Sequence, residues 1–234
     1  MSRILVALDV SSRDEAVTLA EPLLGEVAGF KVGLQLLMAE GPKIITEIAS
    51  LGLPVFADAK LHDIPNTVFH AIRRLGEHGA RWVTVHAAGG IDMMKAAVDG
   101  LDEGSSMTAG VLAVTVLTSI DEEDLARQGI EESTSRQVSR LAAMAARCGV
   151  EGVVCAAAEA SSVKALNLDL AIVTPGIRPA GADSDDQARI ATPAGAIGAG
   201  ADLIVVGRPI TRAADPVAAA RAINREIEAA LSAT

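Results

Sequence analysis

Leu53-Pro54-Val55-Phe56-Ala57-Asp58-Ala59-Lys60-Leu61-His62-Asp63-Ile64-Pro65-Asn66-Thr67 is the stretch that decides how this chain is read. Leu53 to Ala57 is an apolar run of the kind that forms a strand buried in a parallel sheet. Where that strand should end, Asp58, Lys60 and Asp63 arrive close together. Asp58 and Lys60 are two apart, so an extended backbone points both to the same side. A buried strand does not hold a carboxylate beside an ammonium unless the two pair or do chemistry. Taken alone, three such charges read better as a solvated strand end with a surface ion pair, and the rest of the chain tips the balance. Pro65 suits the first turn of a helix, so the stretch is a strand, a charged turn and a helix.

That unit repeats in both directions. Ile4–Leu8, Ala28–Gly33, Trp82–His86, Val111–Leu117, Gly152–Ala156, Leu170–Thr174 and Leu203–Val206 read as further strands. Helical patterns separate them. Ser12 to Glu15 reads as a capping box, and one helix runs through Ile44, Ile45 and Ile48 to a stop near Gly52. Pro65 opens a helix to about Glu77, Thr118 and Ser119 cap the helix after strand five, and a longer helix starts near Ser133. Thr192-Pro193 and Asp215-Pro216 open the last two. Eight strand–helix units without a linker or low-complexity break predict an α/β fold, a single (β/α)8 TIM barrel domain over residues 1–234. An open doubly wound sheet is the runner-up, but no Gly-x-Gly-x-x-Gly follows the first strand.

The 234 residues are 50% hydrophobic, yet no apolar run approaches the roughly 20 residues a membrane helix needs. Met1 to Asp9 reads as a first strand and not as a secretory signal. Cys148 and Cys155 are too few and wrongly spaced for a disulfide framework or a Cys zinc site, which fits a reducing cytoplasm. The net charge of −10 and 2% aromatics lack the basic stripe and stacking platform of a nucleic-acid binder. An anion site here has to be a local cluster of donors working against the overall field.

In such a barrel the working face lies at the C-terminal ends of the strands. There the sequence places Asp9, Lys31, Asp58, Lys60, Asp63, His86 and Thr118. Each has an ordinary explanation, as a capping acid, an exposed lysine, a satisfied core histidine or a capping hydroxyl, and His86 is left out of the site on that ground. Two acids and two lysines at adjoining strand ends are harder to obtain by accident. After strands seven and eight come Thr174-Pro175-Gly176-Ile177-Arg178-Pro179-Ala180-Gly181 and Val205-Val206-Gly207-Arg208-Pro209, two Gly/Arg elements in the loops where barrels bind phosphate. Gln187 stands at the far end of the first of these loops. The residues alone therefore predict a phosphorylated small substrate, held by its phosphate at one side of the barrel mouth and exposed to Asp/Lys proton chemistry at the other. No metal cage is expected, because two lysines among the carboxylates repel a cation, and the four histidines are not at ligand spacing.

Leu5-Val6-Ala7-Leu8-Asp9, Phe30-Lys31-Val32-Gly33, Asp58-x-Lys60-x-x-Asp63-Ile64-Pro65-Asn66-Thr67, Val116-Leu117-Thr118-Ser119, Thr174-Pro175-Gly176-Ile177-Arg178, Asp186-Gln187 and Val206-Gly207-Arg208 together closely resemble the orotidine 5′-phosphate decarboxylase family, in order and across nearly the whole chain. The resemblance implies cofactor-free conversion of orotidine monophosphate to UMP and CO2 in de novo pyrimidine biosynthesis. It implies Lys60 as proton donor to C6, Asp58 beside the departing carboxylate, and Lys31 and Asp9 at the ribose. Thr118 would contact the pyrimidine, Arg178, Gly207 and Arg208 the phosphate, and Gln187 both. It also implies a homodimer in which Asp63 and Thr67 reach the partner's site. Two relatives, 3-keto-gulonate-6-phosphate decarboxylase and hexulose-6-phosphate synthase, share Asp-x-Lys-x-x-Asp but look magnesium-dependent and carry an acid where this chain has Lys31. A non-catalytic nucleotide-phosphate sensor on a barrel would keep Arg178 yet have no use for Lys31, Asp58 and Lys60 together.

Overall fold

A computed structural model describes residues 2–179 and 191–232. Eight strands, β1 (Ile4–Ala7), β2 (Gly29–Gly33), β3 (Val55–Leu61), β4 (Trp82–His86), β5 (Gly110–Val114), β6 (Gly152–Val154), β7 (Ala171–Thr174) and β8 (Leu203–Val206), pair in sequence order, and β8 closes on β1. Every pairing is parallel. The helices are α1 (Arg13–Ala20), α2 (Leu34–Glu40), α3 (Lys43–Ala49), α4 (Pro65–Glu77), α5 (Ile91–Gly104), α6 (Glu122–Arg127), α7 (Thr134–Ala146), α8 (Ala157–Lys164), α9 (Pro193–Gly198), α10 (Arg208–Thr211) and α11 (Pro216–Ser232). The expected (β/α)8 barrel is the observed one.

Strand alternation divides the apolar residues between two cores. Ile4, Val6 and Leu8 pack outward under the helices with residues such as Phe30, Ile72 and Ile223. Leu5 and Ala7 point inward and fill the barrel with Phe56, Leu112, Val173 and Val205. At the N-terminal end the barrel is closed by a polar cluster. Arg81 donates from Nη1 and Nη2 to the two Glu151 oxygens, each at 2.7 Å, and Trp82 Nε1 donates to Oε1 at 2.8 Å. The Arg81 guanidinium also lies 4.4 Å from the Trp82 ring centre. Burial alone would push the Glu151 carboxyl up, but the bonds from Arg81 and Trp82 outweigh it and hold it below the ordinary range. Glu151→Ala leaves the Trp82 N–H and the guanidinium without their acceptor. The expected cost is about 2 kcal/mol after allowance for partial exposure, a fall in Tm of roughly 4–8 °C for a chain of this size. Thermal unfolding followed by circular dichroism checks it.

Several local expectations are corrected. The helix after β2 is two helices, because Gly41 at φ 70° ends α2 and Pro42 restarts the chain into α3. β5 ends at Val114, three residues before its expected end, where Thr115 turns its hydroxyl to the Val154 carbonyl. The cap of α6 is Asp121, whose side chain accepts from the Asp124 N–H, and not Thr118 or Ser119. The capping pair at α1 is offset by one residue: Ser12 accepts from the Glu15 N–H, but Glu15 returns to the Ser11 N–H. β6 stops at Val154, and α8 begins at Ala157, ahead of its expected start near Ser161.

Candidate active site

A cavity of about 480 Å³ opens at the C-terminal mouth of the barrel. Along one wall four charges alternate in sign. Lys60 at the end of β3 donates from Nζ to Asp58 Oδ2 at 2.6 Å. Lys31 on β2 lies 3.6 Å from the same oxygen and donates to Asp9 Oδ1 at 3.0 Å. Asp58 and Lys31 are each 8% exposed, so solvent does little to screen the pair. Burial by itself would raise the Asp58 carboxyl; the Lys31 and Lys60 ammoniums and the bonds from Lys60 and Thr84 overcome that, and it stays ionised below the usual range. Gly33 makes room for the cluster. A Cβ there would come within 2.7 Å of both Asp9 Oδ1 and Lys31 Nζ.

Across the cavity the lining comes from the loops after β7 and β8. Arg178 is 7% exposed, and its Nη1 donates to the Ile177 carbonyl at 2.9 Å. Its backbone N–H donates to Ala191 and the Ala191 N–H to Gly176, which ties the two ends of the connecting segment together. After β8, Gly207 leads into α10, a short helix that the strand pattern alone did not announce. Barrels use an extra helix at this place for phosphate, because first-turn N–H groups and the dipole suit an anion. Gly176, Arg178, Gly207, Arg208 and Arg212 all line this side.

The structure thus brings Asp9, Lys31, Asp58, Lys60, Thr118, Arg178, Gly207 and Arg208 to one cavity. Thr118 arrives from a loop and not from a strand end. Asp63 and Thr67 do not line the cavity: both are exposed on the turn and first turn of α4, and Asp63 Oδ1 accepts from the Ile64 N–H at 2.7 Å. Gln187 lies outside the described residues. Sequence reasoning missed Gln35, Thr211 and Arg212, which also line the cavity, since nothing in their local pattern separates them from helix surface. It also missed Thr84, a buried hydroxyl at an inward position of β4 that strand alternation flags as unusual. His86 stays out of the lining, its ring centre 5.5 Å from that of His62 with the two planes tilted by 32°. Among the described residues, no group of three or more His, Cys, Asp or Glu side chains is placed to hold a metal ion.

The sequence model described as "Orotidine 5′-phosphate decarboxylase / HUMPS family" matches residues 2–223. The orotidine 5′-phosphate decarboxylase of Chromobacterium violaceum is 47% identical over 97% of this chain and 92% of its own length. That of an Anaeromyxobacter species is 50% identical over 94% of this chain and 96% of its own. The crystal structure of the orotidine 5′-phosphate decarboxylase from Lactobacillus acidophilus superposes with a TM-score of 0.85 at 38% identity, covering 97% of this chain and 99% of that one. With a family match across nearly its full length and relatives at this identity, the chain belongs to the orotidine 5′-phosphate decarboxylase / HUMPS family.

Proposed function

We propose that the chain is a carboxy-lyase that converts orotidine 5′-phosphate to UMP and CO2 within de novo pyrimidine biosynthesis, with no cofactor and no metal. The observation that carries this reading is the Lys31–Asp58–Lys60 cluster facing the Arg178 and Arg208 side of the same cavity. Loss of CO2 leaves an electron pair on C6 of the pyrimidine, and the Lys60 ammonium supplies both the balancing charge and the proton. Asp58 sits beside the departing carboxylate, Lys31 links it to Asp9 and the ribose, and Thr118 meets the base. Arg178, Gly207 and Arg208 take the phosphate, with Gln187 bridging phosphate and base. A unit-charge pair at 4 Å is worth about 4 kcal/mol at an effective dielectric near 20. Enzymes lower barriers by roughly 8–23 kcal/mol, so Lys60 does not act alone. Binding energy from the distant phosphate contributes the remainder by fixing the base against Lys60 and excluding water.

The working form is a homodimer of one barrel domain per chain, with Asp63 and Thr67 entering the partner's cavity. Their exposure outside their own cavity supports this, as does the apolar surface beside them: Leu34, Met38 and Ile64 are 46%, 74% and 66% exposed. A cytoplasmic location suits the substrate, and no helix among the described residues is long and apolar enough to cross a membrane. The same-superfamily alternative is a magnesium-dependent sugar-phosphate lyase, against which Lys31 stands where a metal ligand would be needed. Turnover in a chelator separates them. Incubated with orotidine monophosphate and excess EDTA, the chain is expected to change the ultraviolet absorbance to that of UMP at an undiminished rate. Activity that vanishes with EDTA and returns with magnesium would overturn the metal-free reading, and inertness toward orotidine monophosphate under both conditions would overturn the substrate.

A further inference from the structure

β3 and β4 pair Phe56 with Trp82 and Ala57 with Val83, and the next matched pair is Leu61 with Val85. Four steps along β3 thus face two along β4, and β3 has to shed the excess. It does so next to the chemistry: Lys60 takes φ 47°, in the left-handed region that side-chain-bearing residues avoid. A bulge interrupts the ladder and leaves a backbone N–H in need of an acceptor. Thr84, fully buried between Val83 and Val85, is that acceptor. The Lys60 N–H donates to Thr84 Oγ1 at 2.9 Å, and the same hydroxyl donates its proton to Asp58 Oδ1 at 2.9 Å. Since Lys60 Nζ holds the other Asp58 oxygen, the four groups form a closed ring: Lys60 backbone, Thr84 hydroxyl, Asp58 carboxylate, Lys60 ammonium.

We propose that Thr84 is a positioning residue for the decarboxylation, its single hydroxyl fixing both the left-handed backbone of Lys60 and the rotamer of the Asp58 carboxylate that receives the Lys60 ammonium. The inference rests on the function proposed above. Thr84 does not line the cavity, so it acts through Asp58 and Lys60. A hydroxyl suits the task because it accepts and donates at once. A methyl group of the same size does neither. The bond from Thr84 also joins burial and the two ammoniums among the influences on the Asp58 carboxyl, on the side that keeps it ionised.

The test compares Thr84→Val with Thr84→Ser, at a temperature where both are folded by circular dichroism. Thr84→Val is expected to lower kcat roughly 10- to 100-fold, the scale of a misplaced catalytic group, while KM for orotidine monophosphate stays within about threefold. Thr84→Ser, which keeps the hydroxyl, is expected to return kcat to within about threefold of wild type. A purely structural role would lower Tm and leave kcat in place. If Thr84→Val does not fold, Thr84→Ala removes the same two bonds without adding bulk. Near-normal kcat in the folded hydroxyl-free variant overturns the inference. A crystal structure of that variant judges it without reference to substrate. Lys60 leaving the left-handed region, or its Nζ parting from Asp58 beyond about 3.5 Å, supports it, and an unmoved Lys60–Asp58 pair overturns it. Wild-type inertness toward orotidine monophosphate with Lys60 displaced in the variant would keep Thr84 in its positioning role and remove the decarboxylase reading instead.

Discussion

Lys60→Ala is expected to lower kcat for orotidine monophosphate by at least about 10³-fold, the product of a lost proton donor and a lost charge at the carbanion. The fold should survive. Removing one partner of a buried pair is costly when it strands the other charge, but Asp58 would keep Lys31 at 3.6 Å and the Thr84 hydroxyl at 2.9 Å. UMP affinity should fall far less than kcat, because the phosphate side of the cavity is built from Arg178, Gly207 and Arg208. Stopped-assay kinetics with calorimetric UMP titration read both quantities. Near-normal turnover would remove Lys60 from the proton-donor role.

Asp63→Ala is expected to be nearly neutral for stability, within about 0.5 kcal/mol as for an ordinary surface substitution, and yet to depress turnover roughly 100-fold, as loss of a charge that orients reacting groups does. The separation of the two effects follows from its position, exposed on its own subunit and outside its own cavity. The decisive form uses heterodimers purified through two tags, one subunit Lys60→Ala and the other Asp63→Ala. In a two-fold dimer each site takes Lys60 from one chain and Asp63 from the other. One of the two sites then has both native residues, and about half of wild-type activity should return. If Asp63 served its own subunit, both sites would be defective and heterodimers would stay inactive.

Much of this was legible in the sequence because strong local signals agreed with the global fold. α4 runs from Pro65 to Glu77, β4 from Trp82 to His86 and β8 from Leu203 to Val206, as the apolar runs and the proline predict. The Asp/Lys cluster was readable because a parallel barrel has one working end, so charges at strand ends have one place to meet. What was not readable depends on tertiary geometry. The left-handed conformation of Lys60 has no signature of its own, since the cause is a mismatch with β4. Alternation along β4 marks Thr84 as an inward hydroxyl, but what it does there appears only with its two partners. Gly41 interrupts an apolar pattern that otherwise continues as one helix. Thr118 reads as a strand end in the sequence because the apolar run Val111–Leu117 continues past the point where pairing stops at Val114. Arg212 reaches the cavity only because α10 turns the chain back after β8.

The most direct measurement is a crystal structure of the chain with UMP bound. The phosphate is expected against Arg178 and Gly207–Arg208, and the Lys60 ammonium within about 3–3.5 Å of C6, near-attack distance for proton delivery. Asp58 should lie on the side from which the carboxylate of the substrate departs. A nucleotide seated elsewhere, Lys31 and Lys60 turned away from each other, or a divalent ion bound at Asp58 would contradict this arrangement.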